Sequence, residues 1–493
     1  MEPERAAAAL APLRALCATL LVRGERPSGI TPWGLGASRD RGNRPHSARG
    51  GIQPGRRGAV SGLNGRTDRL ARTAVVILVS MLALGGVVFA LLTSPYFDEI
   101  QYWQMGRSLL HTGVYSLTPG GPPTTYKVPG VPIALAATQT LGLDFTASRV
   151  LFALLLLPLG AWLAWRWLTS LGVPKQASAC AVAFAFANPA LIVSSGTLYP
   201  QFAVGVAYLG AIAAWSASER RNAKVSRWLL ALVAGLALGL SVMLASTAVV
   251  VIAAMLVWVL WRARRRSARG EARLGVQLAS VGIVAVGVCL VVAPWLVRNA
   301  SVTGRFPLMG TSAGITLLEG NAPASTVDNG PEMRFTGDDN PPAGLSEVAQ
   351  DEFFRARALD HIRTQPIYYG RLYLAKVAYG LWPTAVTATK GPNAVADVLQ
   401  RFYYGLLYLG LLAWVFAKKR LALAHPWIVD IAPYLNLGIL MATASLLSYA
   451  AFFTRLRYRL PTDIPLGLFA GLSAYLLFVA WTERRGRRDT PTR

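Results

Sequence analysis

Apolar runs of bilayer-crossing length recur from Ala74 almost to the C-terminus, and no other feature of the chain restricts its fold as much. A helix needs about 20 apolar residues to cross the hydrocarbon core. The candidates are Ala74–Thr93, Arg149–Thr169, Gln176–Val193, Pro200–Ser216, Trp228–Leu240, Met243–Trp261, Leu274–Leu296, Phe402–Ala417, Ile431–Ala451 and Ile464–Trp481. Composition agrees: of 493 residues 53% are hydrophobic and only 15% charged, the profile of a polytopic membrane protein.

Charge then sets the topology. The net charge of +25 is concentrated in a few arginine-rich stretches, which argues against a nucleic-acid partner. Short basic loops mark the cytoplasmic side of a membrane protein. Here they are Arg66–Arg72, Glu219–Arg227, Arg262–Arg273, Lys418–Arg420 and Arg484–Arg488. Both flanks of Trp228–Trp261 are basic, so this stretch reads as a hairpin turning near Ser241. Arg72 and Arg166–Lys175 share a side, which leaves the short piece Pro132–Leu143 at the outer surface or dipping in partway. Tyr368–Ala385, with Arg371 and Lys376 inside it, is excluded as a span by the same parity. The expectation is an all-α bundle of about ten crossings in the plasma or inner membrane, with both termini cytoplasmic. Outer-face juxtamembrane helices and outer loops at 95–143, 297–399 and 453–461 complete it.

The ends differ from this bundle, which runs from 73 to 482. Residues 1–72 are rich in Arg, Gly, Pro and Ser and read as a disordered basic extension. Within them Ala6–Val22 is apolar but interrupted by Pro12 and Arg14. Residues 483–493 read as a basic cytoplasmic tail. Cys17, Cys180 and Cys289 have no metal-ligand spacing, so neither a disulfide framework nor a zinc site is indicated.

The unusual polar residues collect in the outward segments. Asp98 and Glu99 follow the first span directly, and ionisable residues near a bilayer are costly enough to suggest function; marking the helix exit is the simpler alternative. Asp98, Tyr102, Met105 and Leu109 share one helical face. Further on comes Tyr126-Lys127-Val128-Pro129-Gly130-Val131-Pro132. A lysine there suits a phosphate, whereas a lone lysine otherwise snorkels. Val297–Pro366 carries six arginines and nine acids, a net −3 that suits a folded cap, with Asp351–Arg363 as a solvated helix. Arg455, Arg457 and Arg459 sit on the outer side against the positive-inside preference, where bidentate phosphate binding or anionic headgroups would explain them.

Five motifs occur in order: the Asp98-Glu99 pair, Tyr126-Lys127-x-Pro129-Gly130-x-Pro132, Pro294-Trp295-x-x-Arg298-Asn299, Gly314-Ile315-Thr316-Leu317-Leu318-Glu319-Gly320-Asn321, and Arg455-x-Arg457-Tyr458-Arg459-Leu460-Pro461. Together they resemble the GT-C membrane glycosyltransferases, specifically the bacterial protein-mannosyltransferase and aminoarabinose-transferase-like branch, over about Ala74–Trp481. The resemblance implies inverting transfer of a sugar from a polyprenyl-phosphate donor to a protein, lipid or glycan hydroxyl at the outer face. It implies Asp98 as base, supported by Glu99, with Lys127, Arg457 and Arg459 on the phosphate side; Tyr102 would position, and Arg298 belongs to the same set. One departure stands out. Ser194–Gln201, where related proteins often carry an acid, has no carboxylate. A divalent-metal requirement is therefore doubtful, and Glu319 is a substitute without geometric support. The alternative activity is a flippase for a lipid-linked sugar. Transporters often show repeated halves with interrupted helices, and no paired halves are visible here. A non-enzymatic scaffold is the third reading.

Overall fold

The computed structural model describes residues 55–488, apart from 221–222, 272, 307–308, 329–334, 384–393 and 422–424. Ala6–Val22, Cys17, the rest of 1–54 and the last five residues of the tail lie outside the described residues. The chain divides at Gly65 into two units, and apart from the first turns of α1 the features below belong to the second, Arg66–Arg493. Helix α1 runs Gly55–Leu92; once the apolar run is helical, extension through good helix formers such as Arg69, Leu70 and Ala71 adds one bond per residue.

Among the described residues the structure is all-helical. After α1 come α2 (Phe97–Thr112), α3 (Gly130–Thr140), α4 (Phe145–Ser170), α5 (Lys175–Phe186), α6 (Pro189–Ser195), α7 (Gln201–Arg220), α8 (Lys224–Leu244), α9 (Ala248–Ala268) and α10 (Leu274–Thr303). Then follow α11 (Ala313–Asn321), α12 (Glu347–Thr364), α13 (Pro366–Leu381), α14 (Ala394–Leu421), α15 (Trp427–Ala450) and α16 (Leu460–Arg488).

All ten apolar runs are helical, but fewer than ten are membrane-spanning by length and composition. Among the described residues eight helices qualify, and a ninth results if α5 and α6 form one span bent by 70°. The break falls at Asn188-Pro189: Pro189 opens α6, and the Asn188 side chain caps it by accepting from the Ala190 N–H at 3.0 Å. The remaining run, α9, stays apolar only from Ala248 to Trp261 before Arg262, Arg264, Arg265 and Arg266. The hairpin turn expected near Ser241 falls a few residues later, between Leu244 and Ala248. As expected, neither α3 nor α13 is among these helices.

Helix α16 packs against α5, α7, α14 and α15, while α8 lies between α7 and α10. One core runs through them, with Leu157, Phe186, Phe202, Leu407, Ile464 and Phe469 fully buried. A separate small core of Leu318, Ala322, Phe354 and Ala358 joins α11 to α12. Thus α12 is not wholly solvated: Asp351 and Phe354 face inward.

Candidate active site

Pro95 ends the apolar run, and α2 starts at once. The Tyr96 N–H donates to Glu99 Oε2 at 2.8 Å, closing the first turn. Gly113 closes the other end with φ +67°, a left-handed geometry favouring glycine. This start aims Asp98 and Glu99 in different directions, and their fates differ.

Asp98 lies among cations. Lys127 Nζ donates to its Oδ1 at 2.5 Å, and an Arg457 guanidinium nitrogen lies 3.6 Å from its Oδ2. The three side chains remain partly open, 23%, 14% and 28% exposed. Lys127 Nζ sits 4.8 Å from the centre of the Tyr102 ring, and the Arg457 guanidinium 4.1 Å from that of Tyr199. Burial alone raises the carboxyl pKa of Asp98, but Lys127 and then Arg457 outweigh it and hold the group below its ordinary value. Asp98 is therefore ionised across the neutral range. The Tyr102 and Tyr199 hydroxyls are pushed up, chiefly by burial, and stay protonated.

Glu99 is fully enclosed and faces the helices. Its Oε1 accepts the Leu198 N–H at 2.6 Å and lies 3.5 Å from Arg149 Nε. Arg149, equally buried on α4, also donates to the carbonyls of Gly196 (2.8 Å) and Thr93 (2.8 Å) and to Thr93 Oγ1 (2.8 Å). The pair fastens the end of α1, the start of α2 and the Thr197–Tyr199 turn together. Glu99 has no free access to a reacting group and supports Asp98 only by anchoring its helix.

Lys127 is held through the residues before it. Glu347 on α12 accepts from the Thr125 N–H at 2.8 Å, from Thr125 Oγ1 at 3.1 Å and from Thr124 Oγ1. Arg298 donates to the carbonyls of Thr124 (2.5 Å) and Tyr115 (3.2 Å) and lies over Trp295 at 4.9 Å. Arg298 thus braces the Lys127 segment rather than entering the Asp98 cluster.

Arg459 lies apart from the Asp98 cluster. It donates to the carbonyls of Gly380 (2.7 Å) and Leu381 (2.8 Å), to the Tyr408 hydroxyl (2.9 Å) and to Asp463 Oδ1 (3.0 Å). With these partners it is a structural cation turned away from Asp98. Arg455 and Arg457 differ: among the described residues the Nε of each is buried without a hydrogen-bond partner.

Glu319, on α11, joins the same electrostatic neighbourhood. Its carboxyl is pushed up to about 7 by burial, then by the Asp98 charge, against the pull of Lys127 and Arg455. Among the described residues, no three His, Cys, Asp or Glu side chains gather as they would round a metal ion. Both Asp98 oxygens already face cations, a setting that repels a divalent ion.

No protein-family model matches the chain, and no curated protein matches it either. Among solved structures, it is similar to the apo oligosaccharyltransferase of Archaeoglobus fulgidus (14% identity, 84% of this chain and 52% of that one, TM-score 0.49). The same enzyme in complex with an inhibitory peptide and a dolichol-phosphate gives 12%, 85%, 52% and 0.48. ArnT from Cupriavidus metallidurans bound to undecaprenyl phosphate gives 14%, 76%, 77% and 0.39. The chain spans about half the length of the oligosaccharyltransferase. Likeness at this level assigns no chemistry to any residue.

Proposed function

We propose that the protein transfers a sugar from a polyprenyl-phosphate donor to a hydroxyl acceptor at the non-cytoplasmic face of the membrane. The observation that carries this reading is the meeting of Asp98 with Lys127 at 2.5 Å and Arg457 at 3.6 Å, three residues far apart in sequence. In such a site the donor phosphate takes over Lys127 and Arg457, with the spare Nε groups of Arg455 and Arg457 as further donors. That exchange frees Asp98 to accept from the incoming hydroxyl. The acceptor oxygen forms its bond to the anomeric carbon as the bond to the phosphate oxygen breaks. The electron pair leaves on the phosphate, where the cations stabilise it, and the proton passes to Asp98. Tyr102 and Tyr199 hold the cations in place through their ring faces.

Charge supports the side assigned. Arg262 and Arg266 converge on Glu219 at the far end of α9, roughly 20 Å along the helix from Thr247, which bonds Tyr449 near the Asp98 end. The Glu219–Arg227 and Arg262–Arg273 turns thus lie at the end opposite the site, which supports the assigned side by the positive-inside preference.

A second reading, movement of the lipid-linked sugar without cleavage, draws on the broken α5–α6 helix. Buried Asn188 at the break pairs with buried Gln400 at 3.0 Å, and interrupted helices are a transporter feature. Vesicles containing the purified protein and radiolabelled polyprenyl-phosphate sugar separate the two. Release of polyprenyl phosphate with a glycosylated acceptor supports transfer; movement of intact donor between leaflets supports the flippase and overturns the transferase.

A further inference from the structure

Lys376 lies on α13, outside every motif that singled out the site, and its side chain is wholly buried. A buried ammonium is costly unless its donors are used. Lys376 uses them on two carbonyls from distant segments, Gly320 O at 2.6 Å and Phe452 O at 2.5 Å. Gly320 directly follows Glu319, and Phe452 precedes Arg455 and Arg457 by a few residues. Parallel links reinforce the junction. Asn321 Nδ2 donates to Ala451 O at 2.8 Å, the Thr454 N–H to Val327 O at 3.3 Å, and Thr454 Oγ1 to the Lys376 carbonyl at 3.3 Å. The backbones meet so closely at Gly320 that a Cβ there would overlap Phe452 O. Burial, with no compensating carboxylate, lowers the Lys376 pKa to about 8, so the cation is kept at the expense of its own hydration.

We propose that Lys376 is a positioning residue of the phosphate site: its ammonium staples the helix bearing Glu319 to the loop bearing Arg455 and Arg457. The inference rests on the transferase reading for its functional consequence, whereas the staple stands on geometry alone. Without it, the loop is free to carry Arg457 off Asp98, and an anion meets an unassembled pair of arginines.

Two readouts on the full chain in detergent test this. Hydrogen exchange of the amides from Phe452 to Arg457 is expected to accelerate in Lys376→Met, and unchanged exchange overturns the staple whatever ligands do. Affinity for undecaprenyl phosphate is expected to fall roughly tenfold in Lys376→Met, the scale of a lost charged hydrogen bond. In the double variant with Arg457→Gln, the lysine change is expected to cost little more, because it acts through Arg457. Wild-type affinity in Lys376→Met, or losses that multiply in the double variant, overturn the positioning role. Should Lys376→Met not fold, Asn321→Ala weakens the same junction without stranding a charge. It is expected to shift both readouts in the same direction, and wild-type values for both overturn the proposal. If the wild-type chain itself does not bind the probe, the transferase reading fails, and the exchange experiment alone decides the staple.

Discussion

At the scale of residues, three arginines spaced two apart have different surroundings. The Leu456–Arg459 stretch is a 3₁₀ turn, in which positions three apart eclipse and positions two apart diverge. Arg457 therefore reaches Asp98 while Arg459 turns into carbonyls and Asp463. Arg457→Gln is expected to weaken donor affinity by roughly a hundredfold, still within measurable range because Lys127 remains, with little loss of stability. Arg459→Gln is expected to do the reverse, stranding the fully buried Asp463 at a cost of about 3 kcal/mol, read as a lowered melting temperature. Glu319 gives a pH signature. Its folded pKa of about 7 lies above the ordinary 4.5, so the folded state holds the proton longer. Stability from this group is fully present below pH 4.5 and declines as pH rises to about 7. Ionisation also adds a second negative charge beside Asp98. Affinity for undecaprenyl phosphate is expected to drop as pH rises through about 7, and Glu319→Gln to remove that step. A step of equal size in the variant excludes Glu319 as its source.

At the scale of elements, the sequence showed the helices better than the crossings. Asp98, Lys127 and Arg457 were legible because they stand in polar segments between apolar runs. Arg149 was not. It opens a 21-residue hydrophobic stretch (Arg149–Thr169) and reads there as a boundary marker, although its partners Glu99, Thr93 and Gly196 come from three other segments. Pairing across such distances leaves no spacing to find. Nor does hydropathy register the bend at Asn188, since the flanking residues on both sides are apolar. Arg149→Leu leaves Glu99 charged and buried without its ion-pair partner. It is expected to cost about 3–5 kcal/mol, whereas Glu99→Gln, which keeps an acceptor for the Leu198 N–H, is expected to cost less. Thermal unfolding in detergent measures both, and an Arg149→Leu variant as stable as the wild type removes the buried pair as an anchor.

At the scale of the whole molecule, the arginine cluster on Glu219 lies at the end of the bundle opposite Asp98. Single cysteines in the α12 region and in the Arg262–Arg273 turn, placed in a background lacking Cys17, Cys180 and Cys289, are expected to react with an impermeant maleimide from opposite sides of the membrane. Labelling from the same side contradicts the topology. The most direct measurement of the central claim is sugar transfer by the purified chain from a labelled polyprenyl-phosphate donor, wild type against Asp98→Asn. The account predicts measurable transfer by the wild type and a fall of roughly 10²–10⁴-fold in the variant, with unchanged melting. Transfer by Asp98→Asn within a few fold of the wild type would contradict it.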